Sequence, residues 1–89
     1  MISQTVKIVN KLGLHARPSA QLVTVATRYS SEVFYTKANM RVNGKSIMGV
    51  MMLAAEKGVE LLIEVDGPDE DALLADLVSA IESGFGEEI

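Results

Sequence analysis

The only histidine in the chain, His15, stands directly before a segment whose apolar spacing predicts a helix. Imidazole is a nitrogen nucleophile near neutral pH, and the first N–H groups of a helix, here those of Ala16 and Arg17, lack intrahelical partners and favour an anion. The Arg17 guanidinium adds a permanent positive charge. We therefore interpret this segment as able to carry phosphate on His15; on local sequence alone, an ordinary surface histidine is the alternative.

Length and composition predict one small domain over residues 1–89. The chain has no cysteine, so a disulfide framework and a thiolate metal site are both excluded. We expect no metal and no cofactor. Neither a signal peptide nor a membrane-spanning run is indicated, and we expect a cytoplasmic protein with no membrane insertion.

Charge is divided unequally along the chain. Residues 1–49 contain seven basic residues and one acidic residue, a net +6, whereas residues 50–89 contain one basic and eleven acidic residues, a net −10. The overall charge of −4 argues against nucleic-acid binding. The basic half includes His15, so we expect an acidic protein or a phosphoryl donor to approach that side.

The periodicity of apolar residues predicts a β-α-β-β-α-β-α order. Alternating strands and amphipathic helices favour a two-layer α+β open-faced sandwich, with a four-stranded antiparallel sheet and three helices on one face. The glycines at 84 and 86 are expected to let the end of the chain fray into an acidic tail. The predicted strands are residues 2–9, 32–37, 40–42 and 59–65, and the predicted helices are residues 16–28, 47–56 and 69–83.

The tetrapeptide Asn43-Gly44-Lys45-Ser46 contains a G-K-S that superficially suggests a phosphate-binding loop. Such a loop would need glycine at position 39, which is asparagine, so nucleotide binding is excluded. Ser46 is instead predicted to cap the second helix, which Gly58 would stop.

The second predicted helix is apolar on every side. A short helix on a two-layer domain cannot bury all of these side chains, so we expect Ile47, Met48 and Met51 to form an exposed patch near His15. Methionines are flexible and suit a surface that meets several partners.

Two separated motifs then identify a resemblance. G-L-H-A-R-P-S-A at 13–20 and V-N-G-K-S-I-M-G-V-M at 42–51 closely resemble HPr, the family of histidine-containing phosphocarriers of the bacterial phosphoenolpyruvate-dependent phosphotransferase system. The resemblance extends over nearly the whole chain and includes the order of elements.

The resemblance implies a carrier and not an enzyme. His15 would accept a phosphoryl group on Nδ1 from enzyme I and pass it to IIA components, with Arg17 screening its charge. Ser46 would be a regulatory phosphorylation site, with an HPr kinase/phosphorylase and a transcriptional regulator as further partners. The resemblance places the docking surface at Ala20, Ile47, Met48 and Met51, and a monomer fits a carrier that meets its partners in turn.

Thr24, Thr27 and Gly49 depart from the basic residues that many sugar-system relatives carry at these positions. A nitrogen-related or catabolite-control branch therefore stays open. In that alternative the chain is a regulatory binding module that acts through phosphorylation-dependent protein contacts. A hydrolase that uses His15 as a base is a poor third alternative, since no acidic residue lies beside it in sequence.

Overall fold

The computed structural model describes residues 1–89 as four strands, three α-helices and one short 3₁₀ turn. The predicted order of elements and the predicted class, an open-faced α+β sandwich, are confirmed. In chain order the elements are β1 (Ile2–Lys7), α1 (Ala16–Ala26), β2 (Glu32–Lys37), β3 (Met40–Asn43), α2 (Ile47–Met52), β4 (Glu60–Asp66), α3 (Glu70–Glu82) and the 3₁₀ turn Gly84–Gly86.

The sheet has the order β1-β4-β2-β3, and every neighbouring pair is antiparallel. β4 lies between β1 and β2, and its side chains show the alternation that favours a strand with one buried face. Leu61, Ile63 and Val65 alternate with Leu62 and Glu64, so every second side chain is fully buried. One face of the sheet therefore supports the core.

Helices α1 and α3 cover the buried face. Leu22 and Ala26 of α1, and Leu73, Leu77 and Ile81 of α3, have no exposed surface and recur at helical spacing. Each such leucine or isoleucine contributes about 1.5–3 kcal/mol through burial. The longest helix, α3, has 13 residues, and none of the helices has the length and apolar character needed to cross a bilayer.

The second helix is shorter than the sequence predicts, because α2 ends at Met52 and not at Glu56. Its last amides, those of Leu53 and Ala54, bond three residues back, and Ala54 adopts a φ of +48°. This turn sends Leu53 and Ala55 into the core. The left-handed residue is therefore Ala54, and the predicted helix stop at Gly58 is wrong. The other predicted boundaries agree with the observed ones to within two residues, and the strand 32–37 is predicted without error.

The predicted fraying of the chain end is also wrong. Gly84–Gly86 forms a 3₁₀ turn that places Phe85 in the core at 4% exposure, although Phe85 must adopt a φ of +59°. The amide of Lys11 then donates to the carbonyl of Glu88 at 2.7 Å. Burial of an aromatic ring and this backbone bond attach the acidic tail to the loop after β1.

The loop between β1 and α1 is held against the segment after α2. The amide of Leu14 donates to the carbonyl of Ala55 at 2.8 Å, and Gly13 lies so close to this carbonyl that no side-chain carbon would fit. Gly13 also has a φ of +66°. A glycine is thus required beside His15 on two counts.

We expect Gly13→Ala to lower the free energy of unfolding by more than the ~1–2 kcal/mol that a left-handed backbone costs, because its methyl group would also meet the Ala55 carbonyl. Urea denaturation measures this loss. Gly58→Ala is the matched control, since Gly58 has a φ of +89° but open space around it. An equal or smaller loss for Gly13→Ala would contradict the close approach.

Candidate functional site

His15 is the residue immediately before α1, with an extended backbone (φ −77°, ψ −170°). Its carbonyl accepts the amide of Ser19 at 3.0 Å, whereas its side chain makes no capping bond. The ring is therefore free to face outward, and 37% of the side chain is exposed. The amides of Ala16 and Arg17 are the first two of the helix and have no intrahelical acceptor.

Pro18 is the third residue of α1 and lies where no amide hydrogen is needed. Arg17 is helical even though the residue before a proline disfavours this conformation. The hydroxyl of Ser19, which is fully buried, donates to the carbonyl of Leu14 at 3.2 Å. These contacts set the direction in which the helix leaves His15.

A carboxylate from the other end of the chain contacts the imidazole. His15 Nε2 lies 2.8 Å from Oε1 and 3.0 Å from Oε2 of Glu87. The Arg17 guanidinium donates to Oε2 at 3.1 Å, although most of the arginine side chain is exposed. An ionised carboxylate only accepts hydrogen bonds, so Nε2 is the donor in this pair.

Asn10 connects this carboxylate to the loop before α1. It is fully buried, and its Nδ2 donates both to the carbonyl of Gly13 at 2.8 Å and to Oε1 of Glu87 at 3.1 Å. Glu87 is itself only 12% exposed, whereas the neighbouring Glu88 is 76% exposed. Glu87 is thus an ordered component of the site.

The surroundings of Glu87 alter its protonation. Hydrogen bonds from His15, which contribute most, and from Asn10 and Arg17 stabilise the carboxylate and hold the pKa of Glu87 below its ordinary value of 4.5, although partial burial opposes this shift. Glu87 is therefore ionised at neutral pH.

Ser46 caps α2 as predicted. Its hydroxyl accepts the amide of Gly49 at 3.0 Å, and its own backbone is extended. Ser46 is partly exposed. The cap holds the start of a helix whose outer side chains face solvent.

The apolar residues that the sequence assigns to a surface patch are exposed. Met48 is 73% exposed, whereas Ile47 and Met51 are 44% and 40% exposed. Ala20 is partly exposed and lines a shallow depression with Arg17 on α1. Since α1 packs against α2, these residues lie on adjacent helices. No three histidine, aspartate or glutamate side chains are grouped so that they could hold a metal ion.

Comparison with known proteins assigns the class. The family model described as the phosphotransferase-system HPr component phosphorylation site matches residues 2–83. The phosphocarrier protein HPr of Neisseria meningitidis is 51% identical over 98% of each chain. The crystal structure of HPr-C-His from Thermoanaerobacter tengcongensis has a TM-score of 0.95 at 45% identity and covers all of both chains. A structure described as an HPr dimer from the same organism has a TM-score of 0.78 at 45% identity, covering 98% of this chain and 100% of that one.

These matches extend over nearly all of the chain and share its fold, so the class is that of phosphocarrier proteins. The chain belongs to the HPr family of the phosphotransferase system.

Glu87 and Asn10 are the residues of this site that sequence reasoning missed. The sequence analysis assigns no role to Asn10, and Glu87 lies beyond residue 83, where the family match ends. The available signal was Phe85, because burial of an aromatic ring is strongly favourable even in a segment rich in glycine and acidic residues.

The site predicts a pH-dependent contribution to stability from Glu87. Because its folded pKa is depressed, the contribution is present above the ordinary value of 4.5 and is lost as the pH falls through the folded value. We expect the difference in unfolding free energy between wild type and Glu87→Gln to shrink as the pH is lowered through this range. Urea denaturation over a series of pH values measures it, and a difference that stays constant would contradict the ionised contact.

Proposed function

We propose that His15 accepts a phosphoryl group from phosphorylated enzyme I and passes it to IIA components. The chain would then be a cytoplasmic carrier and not an enzyme. The observation that supports this most strongly is the partly exposed imidazole of His15 at the start of α1, with the Arg17 guanidinium bound to the same carboxylate. Family membership supports the same chemistry.

The proposed transfer exchanges one phosphorus–nitrogen bond for another and needs no cofactor. The lone pair on Nδ1 of His15 forms a bond to phosphorus while the bond between phosphorus and the donor nitrogen breaks and returns its electron pair to the donor. Both sides of the exchange are N-linked phosphohistidines, so the protein has mainly to align the groups and screen charge. In this proposal the amides of Ala16 and Arg17 would donate to phosphoryl oxygens.

Partners would dock on the exposed patch formed by Ala20, Ile47, Met48 and Met51. The patch supports this because it is apolar, exposed and carried by the two helices nearest His15 in the chain. We propose that the chain meets these partners as a monomer. The dimeric relative indicates the alternative, which sedimentation equilibrium would detect.

Incubation with phosphoenolpyruvate and enzyme I should add one phosphoryl group to the intact protein, and mild acid should remove it. His15→Ala should gain nothing. Arg17→Ala should fold normally but become labelled more slowly, because it loses the side-chain charge that screens the phosphoryl group. Intact-protein mass spectrometry measures these outcomes. A wild-type protein that stays unlabelled by competent enzyme I would refute the carrier function.

Regulation by phosphorylation is the second candidate function. It is supported by the position of Ser46 at the start of α2, next to the exposed patch. Phosphorylation there by an HPr kinase/phosphorylase would add a charge of about −1.5 to −2. This charge would repel an acidic partner such as enzyme I, and it would let a transcriptional regulator distinguish the modified form. Regulation of this kind needs no refolding of the chain.

A cognate kinase should label wild type and leave Ser46→Ala unlabelled. Ser46→Asp should keep the helix cap but slow transfer from enzyme I several-fold through charge repulsion. Ser46→Ala should lose ~1 kcal/mol of stability through the missing cap and retain the transfer rate. Quenched time-course assays of phosphoryl transfer from enzyme I measure the rates of the two variants. Equal transfer rates for Ser46→Asp and Ser46→Ala would contradict regulation by charge.

A further inference from the structure

The carboxylate of Glu87 lies on one particular nitrogen of His15. Both of its oxygens are within 3.0 Å of Nε2, so a hydrogen must occupy that nitrogen. A neutral imidazole carries only one N–H group. While this contact persists, Nδ1 of the neutral ring therefore has a free lone pair.

We propose that Glu87 is a positioning residue that holds the hydrogen of His15 on Nε2 and so directs phosphoryl transfer to Nδ1. The proposal rests on the proposed function, in which His15 is the phosphoryl acceptor. In this step the Nδ1 lone pair forms the bond to phosphorus, the donor nitrogen recovers its electron pair, and the hydrogen on Nε2 stays in place. No proton has to leave the ring.

The geometry around Glu87 suits such a role. Asn10, which is fully buried, binds Oε1, and Arg17 binds Oε2, so each carboxylate oxygen has a second donor besides the imidazole. Phe85 is buried two residues earlier, and the carbonyl of Glu88 accepts the amide of Lys11. The position of the carboxylate is thus set by its own hydrogen bonds and by the attachment of the residues on either side of Glu87, and not by the imidazole alone.

The same arrangement limits repulsion between the carboxylate and the phosphoryl group. Glu87 lies against Nε2, on the opposite side of the ring from Nδ1. The carboxylate and the phosphoryl group would therefore be bound at different ring nitrogens. Arg17 has five N–H donors and uses one nitrogen on Glu87, which leaves others for phosphoryl oxygens. A carboxylate on Nε2 also stabilises the positive charge that the ring acquires when Nδ1 bonds to phosphorus.

A competing interpretation uses the same contacts. Glu87 could simply occupy the anion-binding region at the start of α1 and compete with the phosphoryl group, in which case its removal would accelerate transfer. The two roles predict opposite changes in rate.

The test is the tautomer of neutral His15, measured by long-range ¹H–¹⁵N correlation on ¹⁵N-labelled protein at a pH at which the ring is neutral. Glu87→Gln is the central variant, because an amide keeps the size of the side chain but can donate as well as accept. Glu87→Ala is the second variant. Glu88→Gln is the control, since the exposed Glu88 contacts only Lys11 with its carboxylate, at 3.8 Å.

We expect wild type and Glu88→Gln to carry the hydrogen on Nε2 alone, whereas both Glu87 variants show a measurable Nδ1–H population. Labelling by enzyme I should become slower in both Glu87 variants, on the order of tenfold, by analogy with the carboxylates that orient metal-bound histidines. The two-dimensional amide spectrum confirms that each variant is folded.

An unchanged tautomer in Glu87→Gln and Glu87→Ala would overturn the proposal, and faster labelling would assign Glu87 to competition instead. Failure of every protein to be labelled, wild type included, would refute the carrier function separately. The tautomer measurement would still decide whether Glu87 holds the hydrogen on Nε2, because it needs no phosphoryl donor.

Discussion

The contact between His15 and Glu87 joins residues 72 positions apart, and the arrangement of the whole site depends on it. The imidazole stands at the start of α1, where the amides and Arg17 favour negative charge. Glu87 binds the Arg17 guanidinium in the present structure and at the same time orients the ring. A single carboxylate thereby sets both the direction and the tautomer of the only histidine in the chain.

The fold makes this contact because the sheet order brings the chain end back to the beginning. β1 pairs with β4, and α3 packs on both strands, so α3 ends close to the loop that follows β1. Burial of Phe85 and the bond between Lys11 and Glu88 then hold the last residues against that loop. Close packing of Gly13 against Ala55 holds the same loop from the other side. Both attachments are tertiary, and each involves a residue with positive φ.

Sequence reasoning succeeded where the signal is local or periodic. Alternation of Leu61, Ile63 and Val65 indicates a strand, and the hydroxyl of Ser46 at a helix start indicates a cap, because both follow from neighbouring residues. The exposed patch followed from the short length of an apolar helix. Of the site itself, His15 and Arg17 were identified together because they lie only two positions apart in the sequence.

Two features depended on tertiary contacts and were not predictable in this way. Ala54 and Phe85 adopt left-handed backbone conformations that isolated residues of these types disfavour, and each does so at a turn leading to buried groups. α2 therefore ends before its predicted boundary, and the acidic tail packs against the domain although its composition suggests fraying. Glu87 enters the site only through the second of these turns.

The most direct test of the account is ³¹P and ¹⁵N NMR of the labelled protein after phosphorylation by phosphoenolpyruvate and enzyme I. We expect a one-bond coupling between phosphorus and Nδ1 of His15, with the hydrogen retained on Nε2 beside Glu87. Phosphorus bonded to Nε2, or to any residue other than His15, would contradict it.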